Sequence, residues 1–207
     1  MTIEVLLIDD HPVVLDGVAA ALAQESDMRV VARATTLEGA RAALASTPPD
    51  VVLVDVRLPD GSGLDLADEA TARATRPAWI ILSAFETPQY VAAALEIGAV
   101  GYFLKSAPTR EIVAAIRVAA NGGLAFTAAQ LAAARRAASF RLTPIDREIV
   151  RWLLAGKSND EIGAEVMIAE RTVEVHLSRL YARVGVASRT ELALLADREG
   201  WLDLPAD

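Results

Sequence analysis

Five polar residues stand where short apolar runs end. Asp9 and Asp10 follow Val5–Ile8, Asp55 follows Val51–Val54, Ser83 follows Trp79–Leu82, and Lys105 follows Tyr102–Leu104. Singly each is ordinary, an acid in a turn, a hydroxyl at a helix cap or a solvated lysine. Jointly they are informative, because ligands of a parallel α/β sheet bind at the carboxyl ends of its strands. Three carboxylates converging there would raise one another's pKa unless a cation sits among them. The small, hard, oxygen-seeking Mg2+ suits such a set, with water and a phosphoryl group completing its shell. Lys105 and Ser83 could then serve phosphoryl oxygens, one as a point charge and the other as a hydroxyl donor.

The elements that would position these residues alternate. The apolar runs Val5–Ile8, Val30–Ala32, Val51–Val54, Trp79–Leu82 and Tyr102–Leu104 fit buried strands. Between them Val13–Gln24, Leu37–Ala45, Tyr90–Ile97 and Glu111–Ala120 have helical spacing. Five strands alternating with about five helices predict a parallel sheet covered on both faces. Asn121-Gly122-Gly123 stops the last helix with residues that tolerate positive φ. The Ala-rich stretch that follows is expected to be helical, which divides the chain into 1–121, a linker over 122–140, and 141–207.

From Leu142 onward no strand pattern is present, only four helical segments. The first has Thr143 as N-cap, Pro144 at the first helical position and Asp146 reaching back. The second opens with Ser158 and Glu161 at capping-box spacing. The third has Ala169 where a capping side chain is expected, a loss of about 1 kcal/mol unless Glu170 or Thr172 substitutes. Two helices joined by a short turn and then a longer amphipathic one form a helix-turn-helix.

Bulk properties exclude several classes. The apolar share, 53%, is high, yet no apolar run is long enough to span a bilayer. Met1-Thr2-Ile3-Glu4 lacks the basic region of a signal peptide, and without cysteine there are no disulfides or thiolate metal sites. A cytoplasmic protein with no membrane partner is expected. Residues 1–120 hold 16 acidic and 9 basic side chains and residues 141–207 hold 12 and 9, so a nucleic-acid claim must rest on a local cluster.

The segments "LLIDDHPVVLDGV", "DVVLVDVRLPDGSGLDL", "IILSAF" and "GYFLKS" make residues 3–121 resemble the receiver domain of a two-component response regulator. The resemblance implies a flavodoxin-like, doubly wound fold with a five-stranded parallel sheet. It implies that Asp55 accepts a phosphoryl group from a histidine kinase, and that Asp9, Asp10, Asp55 and the backbone carbonyl of Arg57 hold Mg2+. It makes Ser83 and Tyr102 the switch pair and Lys105 the phosphoryl partner; read from the residues alone, Tyr102 could equally be core. The family often has a cis peptide after the lysine, so Lys105-Ser106 is expected to be cis despite a cost of about 3–4 kcal/mol. Arg57 and Phe85, two residues after Asp55 and Ser83, stand at the positions that flank the attacking water in this family, and both are bulky, so the resemblance implies slow self-hydrolysis.

The stretch from Leu142 to about Leu195 resembles the DNA-binding domain of the NarL/FixJ (LuxR-type) regulators, through Leu142-Thr143-Pro144, Gly156-Lys157-Ser158-Asn159, Thr172-Val173 and His176-Leu177. An all-α four-helix domain is implied, its third helix, about Glu170–Val184, entering the major groove. At about 100° per residue Val173, Leu177, Leu180 and Val184 form one stripe, opposite Arg171, Val175, Ser178, Arg179 and Ala182, flanked by Thr172 and Glu174. The family's base-reading positions map to Glu174, Val175 and Ser178. Arg171, Arg179, Lys157 and Arg183 are candidate phosphate contacts. Glu174 departs from the lysine often found there; it could accept from cytosine N4 but would repel phosphates. A homodimer on paired half-sites is expected, and Leu192, Leu194 and Leu195 of the fourth helix fit either a dimer surface or core.

A phosphorylation-gated transcription factor, catalysing only its own phosphorylation and dephosphorylation, is the leading reading. A LuxR-type regulator that works without phosphorylation is the alternative. An aspartate-nucleophile phosphatase would want a second acid two residues after its nucleophile, where Arg57 stands, and no Gly-rich turn follows the first strand as a nucleotide site requires.

Overall fold

The computed structural model describes residues 2–71, 77–85, 87–137 and 142–202. Two compact units result, Met1–Ala138 and Ser139–Asp207. The first contains β1 (Ile3–Ile8), α1 (Pro12–Leu22), β2 (Met28–Ala34), α2 (Leu37–Ser46), β3 (Val51–Asp55), β4 (Arg57–Leu58) and β5 (Gly61–Ser62). It continues through α3 (Gly63–Thr71), β6 (Ala78–Ser83), α4 (Pro88–Glu96), β7 (Gly101–Leu104), α5 (Thr109–Ala120) and α6 (Ala128–Ala137). The second contains α7 (Pro144–Leu154), α8 (Asn159–Val166), α9 (Glu170–Val184) and α10 (Arg189–Arg198). Among the described residues no helix is long and apolar enough to cross a membrane.

The expected parallel sheet is present, in the order β2-β1-β3-β6-β7. All of β3 is buried, as the unbroken apolar run requires of a strand covered on both faces. Val5, Leu7, Leu53, Ile80 and Leu82 share one core with Leu15 and Leu22 of α1 and Ile112 and Ile116 of α5. Each such side chain contributes roughly 1.5–3 kcal/mol of burial. The register aligns strand ends: Ile8 pairs with Val54, Asp55 with Leu82, and Ser83 with Leu104.

Two elements were not foreseen. β4 and β5 form a small antiparallel hairpin, Arg57 opposite Ser62 and Leu58 opposite Gly61. Between them, Asp60 accepts from the Leu37 and Glu38 amides at 2.8 and 3.1 Å, clamping the hairpin to the start of α2. Those amide hydrogen bonds hold the Asp60 carboxyl below its ordinary range. α3 then begins at Gly63, whose backbone is pressed against β3. A Cβ there would lie 2.0 Å from the Asp55 carbonyl oxygen and 2.6 Å from Val54 Cγ2.

The Ala-rich stretch after Asn121 is helical over Ala128–Ala137; residues 138–141 lie outside the described set. α6 packs on α4 and falls within the first unit.

In the second unit the caps are those the sequence anticipates. The Thr143 hydroxyl accepts from the Asp146 amide at 3.2 Å and donates to Asp146 Oδ2 at 2.7 Å. Ser158 and Glu161 form a reciprocal capping box, and α9 starts at Ala169 with no side-chain cap. Val173, Leu177, Leu180 and Leu192 are buried in one core with Ile149, Val150, Leu153 and Trp201, and Val184 packs against it. Within α10, Leu192 is core and Leu195 packs on that core, whereas Leu194 is 66% exposed and alone of the three fits a dimer surface.

Gly63→Ala is expected to destabilise the first unit by about 1–3 kcal/mol, since the clash is with backbone that cannot rotate away. Urea unfolding checks it, and an unchanged midpoint contradicts the close approach.

Candidate functional site

The carboxyl ends of β1, β3, β6 and β7 bring five of the anticipated residues to one edge. Asp9 and Asp55 are almost wholly buried and Asp10 is partly so. The Lys105 ammonium lies 2.7 Å from Asp55 Oδ2 and 2.9 Å from both Asp9 oxygens. Its placement follows from the register, because the Lys105 amide continues the β6–β7 ladder by donating to the Ser83 carbonyl at 2.8 Å. The Lys105-Ser106 peptide is trans, which corrects the cis expectation. A trans backbone already delivers the ammonium to Asp55, so nothing requires the roughly 3–4 kcal/mol penalty of a non-proline cis bond.

Burial and charge pull differently on the two partners. Burial pushes the Asp55 carboxyl above its ordinary range, and the Lys105 ammonium only partly counters that while the Asp9 charge adds to it. Lys105 is also penalised by burial, but it faces two carboxylates, and together they raise its pKa. The ammonium gains more from the pocket than Asp55 does. The Arg57 amide also donates to the Asp55 carboxylate.

His11 was missed. Its amide donates to Asp9 Oδ1 at 2.8 Å, and its Nδ1 lies 2.5 Å from Asp10 and 3.4 Å from the Lys105 ammonium. One ligand atom from each of Asp9, Asp10, His11 and Asp55 falls within 4.8 Å of the others. Asp9 Oδ2 and Asp10 Oδ1 are shielded from solvent yet accept no hydrogen bond of good geometry, despite the nearby Lys105 and His11 nitrogens. Oxygen donors so placed fit a hard divalent cation. The only sequence signal for His11 was adjacency to the acidic pair.

Ser83 is buried, and its hydroxyl accepts from the Phe85 amide at 3.1 Å. Tyr102 is 1% exposed and donates its hydroxyl to the Phe85 carbonyl at 2.5 Å, so its ring already lies inside. The Arg57 guanidinium sits 5.4 Å from the centre of the Phe85 ring and donates to the Tyr90 hydroxyl at 3.4 Å.

In the second unit the exposed face of α9 forms a shallow, open depression lined by Arg171, Glu174, Val175, Ser178, Arg179 and Ala182. Thr172 and Arg183 are also exposed. Arg171 and Glu174 approach to 3.9 Å, a loose pairing at the surface. Lys157 stands on a different element: its ammonium pairs with Glu165 and lies 4.6 Å from the centre of the Trp152 ring. On the buried side, Asp146 bridges the Thr143 hydroxyl to His176 Nδ1 at 2.6 Å, fastening α9 to the start of α7.

Residues 5–117 match the family described as response regulator receiver domain, and residues 141–196 match bacterial regulatory proteins of the luxR family. The transcriptional regulatory protein MctR of Rhizobium johnstonii is 35% identical over 198 residues, covering 92% of this chain and 91% of that protein. The transcriptional regulatory protein UhpA of Salmonella typhimurium is 36% identical, covering 92% and 96%. The crystal structure of the response regulator ChrA, from a heme-sensing two-component system, aligns at a TM-score of 0.55 with 33% identity over 97% of this chain and 98% of that one.

The raised Asp55 pKa has a sign for stability. The folded state holds that proton more tightly than the unfolded chain, so the contribution is full below the ordinary carboxylate range and is lost as pH rises through the folded value. In metal-free buffer Asp55→Asn is therefore expected to raise the denaturant midpoint of the first unit at neutral pH. The gain should shrink as the carboxylate range is entered from above; equal midpoints at neutral pH contradict it.

Proposed function

Because the chain belongs to the response regulators, a receiver domain joined to a luxR-family DNA-binding domain in a transcription regulator, we propose that Asp55 is its phosphoacceptor and that a histidine kinase supplies the phosphoryl group. The observation that supports this most directly is the register that sets Asp55, buried at the rim of β3, 2.7 Å from the Lys105 ammonium. One Asp55 oxygen attacks phosphorus as the bond to the kinase imidazole nitrogen breaks, and that nitrogen takes up a proton as it leaves. Lys105 loses one carboxylate charge and gains phosphoryl oxygens in its place. Asp9, Asp10, Asp55 and the Arg57 carbonyl would hold Mg2+, which when bound neutralises charge between carboxylates and phosphoryl oxygens. Ser83 turns its hydroxyl to the phosphoryl group, and Tyr102 is the second switch residue.

The output is transcriptional control through α9. Glu174, Val175 and Ser178 face bases; Arg171, Thr172, Arg179 and Arg183 flank them towards phosphates, with Lys157 contributing from the start of α8. Phosphorylation favours a homodimer that places two copies of α9 on paired half-sites. The site for this activity is the cytoplasm, where kinase and DNA are both accessible.

Two measurements test the reading. The first is selection from a random DNA pool, with and without Mg2+ plus a small phosphodonor, using wild type and Asp55→Asn. Enrichment confined to donor-treated wild type is expected. Equal enrichment by both proteins, regardless of donor, points instead to the regulator that works without phosphorylation. The second concerns lifetime. Arg57 and Phe85 lie against each other, at the positions that by resemblance to the family flank the attacking water. Arg57→Ala is expected to shorten the life of the phosphorylated protein several-fold; an unchanged decay removes the steric argument.

A further inference from the structure

His11 stands at the N-cap of α1, where a short oxygen-bearing side chain is the usual choice, yet its side chain makes no capping bond. The start of the helix is held in other ways. Pro12 occupies the first helical position, the His11 amide donates to Asp9 Oδ1 at 2.8 Å, and the His11 carbonyl accepts from the Val14 and Leu15 amides. The ring is left with no task in the helix and turns to the carboxyl edge of the sheet. Its Nδ1 lies 2.5 Å from Asp10 Oδ1, 3.2 Å from Asp9 Oδ1 and 3.4 Å from the Lys105 ammonium.

The approach to Asp10 is close without having the geometry of a hydrogen bond, for Asp10 Oδ1 is shielded from solvent and has no such partner. Asp9 Oδ2, on a residue 1% exposed, is in the same condition. With the Nδ1 lone pair turned to the pocket, nitrogen and oxygens face one space, and a shared cation satisfies them together. The His11 side chain is 64% exposed, so the ring can settle on an ion without unpacking the core. The nitrogen changes what the site prefers. Carboxylate and carbonyl oxygens alone suit Mg2+, whereas an imidazole nitrogen favours first-row transition ions.

We propose that His11 is a ligand of the cation in this pocket and determines which ion is held: beside Asp10 and Asp55, its nitrogen makes the site take a divalent transition ion such as Mn2+ in preference to Mg2+. The inference rests on the reading that these carboxylates hold a divalent cation next to the phosphoacceptor. Affinity for a nitrogen-bearing site rises from Mn2+ to Co2+. The share due to His11 is therefore least for Mg2+, larger for Mn2+ and largest for Co2+.

The test titrates the full chain with Mg2+, Mn2+ and Co2+ in separate calorimetric experiments, using wild type, His11→Ala and His11→Asn. Wild type is expected to bind Mn2+ more tightly than Mg2+. Both variants should lose about tenfold or more in Mn2+ affinity, the scale on which partners of a metal site act, and more for Co2+, with Mg2+ affinity changed less than about twofold. Pulsed EPR of bound Mn2+ reads the bond itself: modulation from a coordinated imidazole nitrogen should be present in wild type and absent from both variants. Equal losses for all three ions would make His11 only an orienting partner of Asp10 and overturn the proposal. Unchanged affinities in the variants, or wild-type Mn2+ without nitrogen modulation, overturn it as well. Modulation that persists in the variants belongs to His176, the other histidine of the chain, and does the same. If a variant fails to fold, the EPR of wild type decides alone. Wild type that binds none of the three ions defeats the cation reading of the pocket and this inference with it.

Discussion

Holding the Asp55 carboxylate at the end of a fully apolar strand is the constraint around which the first unit is built. A buried acid on β3 costs stability unless charge or hydrogen bonds meet it, and here one ammonium and one backbone amide do. They do not meet it fully, which is why its pKa lies high, and the neighbouring Asp9 makes matters worse. The site is left short of positive charge. A group that needs more cations than the fold supplies is suited to a phosphoryl-transfer pocket and poorly suited to a purely structural role. The local backbone serves the same end: Gly63 lets α3 start against the Asp55 carbonyl, and Asp60 clamps the intervening hairpin to α2.

What could be read from the sequence follows from which interactions are local. Polar residues at the ends of apolar runs gave away the rim, because parallel strands in register bring those ends together whatever lies between. The caps at Thr143 and Ser158 were legible because a cap spans three residues, and the buried stripe of α9 because its period is fixed. Less visible was anything that depends on which face an element turns. α3, rich in Asp and Glu, carries little apolar signal, and the Ala-rich α6 has none that singles out a docking face. Gln130 is a polar residue buried by an edge strand about thirty positions earlier, and no periodicity encodes that. His11 owes its place to a turn after β1, and the trans peptide after Lys105 reflects a strand register that already delivers the ammonium.

On the proposed function, the second unit presents a nucleic-acid surface on an acidic chain. Arg171, Arg179 and Arg183 all project from the solvent side of a helix whose opposite side is held by core contacts and by the Asp146–His176 bond. A long-range field would disfavour DNA at the chain's net charge of −8. Within a Debye length, about 8 Å in physiological salt, only the local cluster matters. Glu174 lies inside that cluster, 3.9 Å from Arg171. On that reading a glutamate there weakens phosphate attraction, and Glu174 would contribute to selectivity rather than to affinity.

β7 concentrates several demands in four residues. Its end supplies Lys105, its middle supplies Tyr102, and its outer edge would expose backbone acceptors inviting another chain. Covering that edge with a strand would have fixed it in a continuous ladder. Here the cover is a loop and one side chain from α6, tied by the Ala125–Val100 and Gln130–Tyr102 hydrogen bonds and held in place by the packing of α6 on α4. The covered residue is also the one whose hydroxyl bonds the Phe85 carbonyl in the turn after Ser83. The cover of the edge and the turn beside the pocket therefore meet in one residue, Tyr102, which is why that position tolerates neither loss of its ring nor a shift of its backbone without both being felt.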